Sequence, residues 1–528
     1  MQLATEESKV SPTFFFCVFI TLFLAIFYNT VTNMAGIYIT SELGSSSEIS
    51  VYAMVFFGLG NVMTIPLANP LADRFGAIRC LVYGLLLYTV FSIFCSLSPT
   101  FFLFNVFRLL LGLASGIFFI LCRRLILEFA PKDFVESYSF YMVAMYVTVP
   151  VLGACFGAWL AYESHWRWIF HCNEPIALTL AAYFWFFYRK TDVISKQIPT
   201  FDKVGYLFFF IATGSLVTAA TLAQELDWLR SPIFVSLLII GIPSLLFFIL
   251  WDLVQPNPLL ELRLFRTPLF SYALLNLAVL FSAYFGMIIL ITLWLNIYSN
   301  YTPLWISALL LIMAISGVVA HFVSEKLLKC FDPRITLALA ILSFAISCYY
   351  STYFDVEVDF FHLAVARFLS GLGLVLFVFP VFNLTMSSFG PEKSATVFTL
   401  FQIVRALFSS LGAGLYVILW QRRQAFFHER LGEKLTNNSQ LTSEYFNTAI
   451  NKFHLTKEQA TLQLNNYLDQ HATSLGLNDT FGCMGHILIG LFALLILTFL
   501  IDKFVVNQSC SFKRVSTRFY VPKGRRRQ

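Results

Sequence analysis

Residues 107–120 read FRLLLGLASGIFFI, and residues 366–379 read ARFLSGLGLVLFVF. Both are apolar runs in which an arginine, Arg108 or Arg367, is followed after three residues by a glycine. A charge deep in such a run costs about 2.5–3.5 kcal/mol in a bilayer, so its presence needs a partner or a function. The two copies predict a membrane protein made of two related halves, each contributing one copy of this segment.

The composition of the whole chain agrees with this prediction. Of its 528 residues, 58% are hydrophobic and 12% are charged, whereas soluble proteins carry roughly 25% charged residues. Stretches such as residues 10–41 lack charge over more than the roughly 20 residues that cross a bilayer. The ten cysteines have no paired spacing typical of a metal site, so we interpret them as small apolar residues and expect no bound metal.

Polar and proline-containing breaks divide the apolar sequence into fourteen predicted spans. They lie near residues 13–37, 50–71, 79–97, 101–124, 138–160, 166–188, 203–222, 232–251, 269–293, 303–324, 335–354, 360–383, 395–420 and 481–501. We expect an N-terminal six-helix half in residues 1–190, two additional central spans with linkers in 191–266, and a C-terminal six-helix half in 267–528. The repeated segment is then the fourth span of each half.

Basic residues in the short loops predict the orientation. Arg74, Arg79 and Lys132 fall on one side of the predicted membrane together with Arg189, Lys190, Lys196, Arg263, Arg266, Lys326, Lys329 and Arg334. The tail at 503–528, with eight basic residues and no acid, lies on the same side. The positive-inside rule therefore places both termini in the cytoplasm. The polar segment 421–480 becomes an outward, periplasmic loop, in which spaced leucines and tyrosines predict short amphipathic helices.

Several short motifs follow one another along the chain. They are LADRFG at 71–76 followed by Arg79, Pro150 with Gly153 and Gly157, WRWIF at 166–170 followed by Asn173 and Pro175, QELDW at 224–228, and LELRLF at 260–265. In this order they resemble the signatures of the fourteen-span drug:proton antiporters, the multidrug efflux type, of the major facilitator superfamily. The resemblance implies an all-α integral membrane fold of two six-helix halves with two extra central spans.

One departure from that family concerns the coupling ion. The family carries an acidic residue in the first span, and this chain has the amide Asn29 there, followed by Asn33. Both amides are candidates for the substrate cavity. The acid Glu174 stands at a normally apolar position of the sixth predicted span. Because burial raises the pKa of a carboxyl group, Glu174 is our candidate for the proton carrier. The alternative is a carboxylate that is paired with an arginine or lies near the outer interface, beside Arg167 and His171.

The deep arginines leave more than one interpretation open. Arg108 and Arg367 either bond neighbouring helices or serve transport, and resemblance to the family implies a part for Arg108 in proton transfer. Arg367 and Arg405 are candidates for the substrate cavity, and Arg405 can equally bond a neighbouring helix. Arg123 and Arg124, near the end of the fourth span, are expected to extend toward the membrane surface.

The resemblance also assigns residues to gating and to the direction of transport. It implies that Asp73, Arg74 and Gly76 form a loop that closes the cytoplasmic face through a salt bridge of Asp73. Pro150, Gly153 and Gly157 correspond to the antiporter motif. The glycines allow close approach of helices.

These observations predict a secondary active transporter in the bacterial inner membrane. It would export a small amphipathic compound, such as a drug, a metabolite or a siderophore-like molecule, by alternating access and proton antiport. Uptake of an anionic or neutral metabolite is the alternative, and a non-transporting membrane sensor is a remote one.

No catalytic motif occurs in the sequence, so we do not expect an enzyme. Apart from the proton gradient we expect no cofactor and no nucleic-acid partner. The partners are the substrate, the lipid bilayer and, as a further option, a periplasmic adaptor with an outer-membrane channel.

Overall fold

The computed structural model describes residues 11–188, 201–299, 301–330, 332–435 and 440–508. Arg189, Lys190 and Lys196 lie outside these residues, as does the basic tail beyond residue 508. Throughout the described residues the regular structure is helical. We call the side on which α4 ends, close to Asp73, the Asp73 face. The opposite side, on which α2 ends, is the Glu42 face.

Eighteen α-helices are present in the described residues. The first nine are α1 (Pro12–Thr30), α2 (Thr32–Glu42), α3 (Tyr52–Thr64), α4 (Ala68–Phe75), α5 (Ala77–Ser96), α6 (Phe101–Phe129), α7 (Lys132–Glu163), α8 (Trp168–His171) and α9 (Asn173–Tyr188). Two central helices follow, α10 (Lys203–Leu222) and α11 (Pro232–Val254). The last seven are α12 (Pro268–Ile297), α13 (Pro303–Cys330), α14 (Pro333–Ser351), α15 (Phe360–Ser387), α16 (Ser394–Gly432), α17 (Gln440–Asn451) and α18 (Lys457–Gln508).

Local sequence determines where several of these helices begin. The hydroxyl group of Thr100 accepts a hydrogen bond from the backbone N–H of Leu103 at the start of α6. Asp202 and Asp332 cap α10 and α14 in the same way. Proline occupies the first turn of α11 and α12, where its missing N–H costs nothing. Polar caps at the ends of apolar runs therefore explain why the predicted breaks are close to the observed ones.

Thirteen helices in the described residues are long and apolar enough to cross a membrane. The first of the fourteen predicted spans is built from α1 and α2, joined at Val31, which keeps helical backbone angles. The sixth predicted span, 166–188, corresponds to α8 and the 16-residue α9. The chain is thus a multi-pass membrane protein with about fourteen spans, and the predicted all-α membrane fold is confirmed.

The segment 421–480 differs from its prediction. We expected short amphipathic helices in a loop, but most of the segment continues the flanking spans. Helix α16 extends to Gly432 and α18 begins at Lys457, so α17 is the short helix between them in the described residues. Neither long helix contains a proline, and nothing in the sequence interrupts the backbone hydrogen bonding where the apolar part ends.

The helices pack in two similar groups. In the first, α6 contacts α1, α3 and α5, and in the second α15 contacts α12, α13 and α14. The repeated segments of residues 107–120 and 366–379 lie in α6 and α15, at equivalent places. The groups meet through α7 against α13 and α16 against α3. Helices α10 and α11 pack on each other, and α10 also contacts α3 and α16. The boundaries of the halves at residues 190 and 266 remain a prediction.

Candidate functional site

A central cavity lies where α1, α3, α6 and α7 face α12 and α16. Its polar lining includes Asn29, Asn61 and Arg405, and Phe119 and Tyr146 are among the aromatic residues that line it. No acidic residue in the described part of the chain lines this cavity. It has room for about one water molecule. The helices are therefore closed around a site with a cationic and aromatic lining.

Arg405 is the charged group of this cavity. Its side chain is 5% exposed, and its Nε donates a hydrogen bond to Oε1 of Gln402 at 2.7 Å. The guanidinium lies 4.7 Å from the ring centre of Phe119 and 4.6 Å from that of Tyr146. Gln402 in turn donates through Nε2 to the Tyr146 hydroxyl at 2.5 Å. Two aromatic rings and one amide thus stabilise the cation in place of an acid.

Arg108 has a different environment. It is fully buried, and it donates to the carbonyl of Ala53 at 3.0 Å, the carbonyl of Tyr28 at 3.0 Å and the hydroxyl of Thr32 at 3.1 Å. The ring of Phe57 lies 4.5 Å from its guanidinium carbon. Arg108 therefore ties α6 to α1, α2 and α3, and it is not among the residues that line the cavity.

Arg367 has an equivalent arrangement in the second group of helices. It is also fully buried, and it donates to the carbonyl of Met287 at 3.4 Å and to the hydroxyl of Ser351 at 3.2 Å. Arg108 contacts α1 and Arg367 contacts α12, so each repeated segment is held to the first span of its own group. Arg367 does not line the cavity.

The two asparagines of the first span have different surroundings. Asn29 lines the cavity, and its Oδ1 has no hydrogen-bond partner among the described residues. Asn33 is 4% exposed and is not among the lining residues, and neither atom of its amide has a partner in the described part of the chain. Of the four candidates for the cavity, the structure brings Asn29 and Arg405 together there.

Glu174 lies in the first turn of α9. It is therefore close to the end of this span, because the regular helix α9 starts only at Asn173. A carboxylate oxygen of Glu174 is 3.0 Å from Nδ1 of His171, and its side chain is 19% exposed. Consecutive spans run antiparallel, so this pair is at the Glu42 face. There Arg167 forms an ion pair with Glu42.

The Asp73 face contains a second polar cluster. A carboxylate oxygen of Asp73 accepts a hydrogen bond from Arg124 at 2.7 Å, and the neighbouring Arg123 donates to the hydroxyl of Ser394 at 2.7 Å, across to α16. Arg74 lies over the ring of Phe75. Gly76 joins α4 to α5 with a φ of +94°, which favours glycine. We expected Arg123 and Arg124 to extend toward the membrane surface. Instead, Arg123 bonds across to the second group of helices, and Arg124 bonds Asp73 within the first group.

A sequence profile described as Major Facilitator Superfamily matches residues 18–413. The chain belongs to this superfamily. It is a membrane transporter and not an enzyme, as the sequence predicts.

Two similar proteins extend the comparison. The multidrug export protein EmrB of Haemophilus influenzae is 26% identical over 463 residues, which cover 87% of this chain and 90% of that protein. The fatty acid resistance protein FarB of Neisseria gonorrhoeae is 26% identical over 471 residues, which cover 88% and 91%.

The fold of this superfamily member also matches solved structures. A POT family transporter crystallised with 5-aminolevulinic acid superposes with a TM-score of 0.61, at 14% sequence identity, over 92% of this chain and 96% of the other. At this identity the likeness concerns the fold alone. It agrees with the packing of the helices in two similar groups.

Pro150, Gly153 and Gly157, which we expected from the resemblance to form an antiporter motif, lie in α7 and face α1. The Thr30 hydroxyl donates to the carbonyl of Pro150 at 2.8 Å. A Cβ atom at Gly153 would lie 2.5 Å from the carbonyl oxygen of Phe27, and one at Gly157 would lie 1.9 Å from that of Val31. The two glycines therefore let the backbones of α7 and the first span approach closely.

Sequence reasoning missed the three residues that contact the Arg405 side chain. Gln402 precedes Arg405 by three residues in α16, a spacing that brings two side chains to one face of a helix, and this signal could have found it. Phe119 and Tyr146 belong to α6 and α7. Nothing local distinguishes them among the chain's 60 phenylalanines and 23 tyrosines.

Proposed function

We propose that this chain exports a small amphipathic compound from the cytoplasm by alternating access, in exchange for protons. The observation that carries this proposal is the cavity between the two groups of helices, which combines Asn29 and Arg405 with aromatic side chains. A mixed polar and aromatic lining suits ligands with an apolar body and a polar head. The names of the similar proteins, a multidrug export protein and a fatty acid resistance protein, support export rather than uptake.

We further propose a bacterial inner-membrane location with both termini in the cytoplasm, and a division into two six-helix halves with α10 and α11 between them. The Asp73 face is then cytoplasmic and the Glu42 face is periplasmic. A periplasmic adaptor and an outer-membrane channel are compatible partners on the Glu42 face, where α16 and α18 extend beyond the spans.

Alternating access requires that the contacts at one face break while those at the other hold. At the Asp73 face, Arg123 bonds Ser394 and the amide of Asn69 donates to the Thr399 hydroxyl at 3.4 Å. At the Glu42 face, the carboxylate of Glu48 accepts hydrogen bonds from Tyr298 and Gln421, both at 2.9 Å. Each set joins the two groups of helices through a few polar contacts. Such contacts are weak enough to exchange during a transport cycle.

The proposal includes a route by which a proton at Glu174 influences the cavity. Glu174 bonds His171, two residues after Ile169, whose carbonyl accepts a hydrogen bond from the Tyr28 hydroxyl at 2.9 Å. The carbonyl of Tyr28 accepts from Arg108, and Asn29 follows in the cavity wall. Protonation of Glu174 changes its bond to His171 and thereby the turn that holds Tyr28. Proton binding and the substrate site are coupled through this backbone.

Deletion of the gene in the native host tests the function. The deletion strain should tolerate amphipathic drugs and fatty acids less well than its parent and should retain a metabolite that the parent releases. Reintroducing the gene should restore both properties. A compound that enters the parent but not the deletion strain would establish uptake, and identical strains in all these assays would contradict transport of such compounds in either direction.

The proposed gate gives a prediction at Asp73. Asp73→Asn removes the charge that fixes Arg124, next to Arg123. We expect the Asp73 face to open more often, so that a cysteine replacing Thr396 reacts with a thiol reagent about two to five times faster, as loss of a partly exposed ion pair permits. Melting temperature should change little. Glu392→Gln, which removes an exposed acid from the same face, should leave the rate unchanged. Equal rates in both variants would exclude Asp73 from the gate.

The proposed orientation gives a prediction for two exposed acids. In a variant whose exposed Cys172 and Cys483 are replaced by serine, Glu458→Cys should react with a membrane-impermeant thiol reagent in spheroplasts. Glu392→Cys should react only after the membrane is permeabilised. Glu458 is in the first turn of α18, and Glu392 precedes α16. The reverse pattern would contradict the orientation.

A further inference from the structure

Arg405 presents a permanent positive charge to the central cavity, and no acid among the described residues lines that cavity to compensate it. Only 5% of its side chain is exposed, and the bond from Nε to Gln402 is the one hydrogen bond it makes within the described part of the chain. The rings of Phe119 and Tyr146 stabilise the guanidinium through their faces. They accept no hydrogen bond from its two terminal NH₂ groups, so the planar donor pair remains available.

We propose that the terminal NH₂ groups of Arg405 bind the head group of an organic anion, and that the exported compound is an amphipathic monocarboxylate. This inference rests on the proposed export function and identifies its substrate class. A carboxylate matches the planar donor pair of a guanidinium with two parallel hydrogen bonds. In a cavity shielded from water it also neutralises the charge that the protein leaves uncompensated.

Two further lining groups complete the head-group site. The hydroxyl group of Ser410 lines the cavity without a hydrogen-bond partner in the described residues, and it can donate one bond to a carboxylate oxygen. Asn29 lines the same cavity, and an amide NH₂ group is also a donor. An acid at this position would add a negative charge to the same cavity and would compete with a ligand for Arg405. The amide leaves Arg405 to the ligand.

The rest of the cavity wall suits the tail of such a ligand. Ile26, Phe119, Phe281 and Phe285 are apolar lining residues from α1, α6 and α12. An apolar or aromatic tail would bury its surface against these side chains. A cationic amphiphile would meet the same apolar wall but would be repelled by Arg405, so the head group provides the discrimination. The cavity is closed in the described conformation, and one face must open to admit the ligand.

The test uses two probes of the same shape, 4-phenylbutyrate and 4-phenylbutyramide, which differ in charge at neutral pH. Binding to the full chain in lipid nanodiscs is measured by titration calorimetry, with protein-free nanodiscs subtracted. We expect the carboxylate to bind at least about tenfold more tightly than the amide. Equal affinities for the two probes would overturn the proposal.

Variants of Arg405 then test whether this residue causes the preference for the carboxylate over the amide. Arg405→Gln should abolish the preference for the carboxylate, and Arg405→Lys should reduce it, because an ammonium lacks the planar donor pair. Arg263→Gln, the same substitution at an exposed arginine between α11 and α12, is the control and should keep the full preference. A retained preference in Arg405→Gln would overturn the proposal.

A second variant keeps Arg405 in place, so the test does not depend on the folding of an Arg405 variant. Asn29→Asp adds an acid to the cavity wall, and this internal partner should cancel the preference for the carboxylate. A folded Asn29→Asp protein with the full preference would also overturn the proposal. The experiments distinguish failure of the proposed export function from failure of the proposed substrate class. Identical deletion and parent strains refute export, whereas active export with equal binding of both probes refutes the substrate class alone.

Discussion

Gly112→Ala is expected to destabilise the protein strongly, although it adds a single methyl group. A Cβ atom at this position in α6 would lie 2.1 Å from the carbonyl oxygen of Phe57, 3.0 Å from the carbonyl carbon of Phe57 and 3.2 Å from the Cα atom of Gly60. All three atoms belong to the backbone of α3, so no side chain can rotate away. We expect α6 and α3 to separate, at a cost of about 3 kcal/mol or more.

The separation of α6 from α3 should also affect Arg108. This side chain donates to the carbonyl of Ala53 in α3, and a displaced α6 would leave a buried charge with fewer partners. Purified Gly112→Ala should therefore show a lower melting temperature and a lower yield of monodisperse protein than the parent.

Gly490→Ala is the matched control, because nothing lies within 4 Å of a Cβ atom at that position of α18. It should behave as the parent in the same measurements. Parental stability of Gly112→Ala would show that α3 and α6 are farther apart than described.

Glu174→Gln is expected to abolish export driven by a pH gradient while leaving folding and ligand binding intact. Glutamine has the shape of glutamate and can still bond His171, so the turn between α8 and α9 should keep its structure. It cannot take up and release a proton. The bond from Tyr28 to Ile169 would then no longer respond to external pH, and proton flow and substrate flow would be uncoupled.

Proteoliposomes with an imposed pH gradient provide the measurement. Substrate movement with Glu174→Gln should fall to the level of protein-free liposomes, while exchange of substrate across the membrane without a gradient persists. Glu163→Gln, an exposed acid at the end of α7 on the same face, is the control and should transport as the parent does. Parental pH-driven transport by Glu174→Gln would remove this residue from the coupling mechanism, and a lowered melting temperature with unchanged transport would assign it to structure.

Much of the fold follows from local features of the sequence. A run of about 20 apolar residues must form a helix in lipid, because the backbone has no other hydrogen-bond partners there. Caps such as Thr100 and the prolines that begin α11 and α12 mark where such runs end. The prediction of short amphipathic helices in 421–480 was wrong, because the helices of the flanking spans continue beyond the apolar runs. In α16 and α18 no proline stops the helix, and helix formation continues to Gly432 and from Lys457.

The site was predictable only in part. Arg108, Arg367 and Arg405 stand out alike in the sequence because each interrupts an apolar run. Their surroundings differ because each side chain points to a different set of neighbouring helices. Asn29 and Asn33 are one helical turn apart, and only Asn29 lines the cavity. Hydropathy gives the depth of a residue in the membrane. It does not give the direction of the side chain about the helix axis, which depends on helix packing.

The sequence by itself determined that this chain is a multi-pass transporter of the major facilitator superfamily, since apolar runs, caps and short motifs are properties of neighbouring residues. Tertiary structure alone decided which arginine faces the cavity. Arg405 meets Phe119 and Tyr146, which are more than 250 residues away along the chain, through the packing of α6, α7 and α16. Arg108 meets carbonyl groups instead. The guanidinium group of Arg108 therefore holds helices together, whereas that of Arg405 is available to bind an anion. The difference arises because the partners of each side chain come from distant parts of the chain.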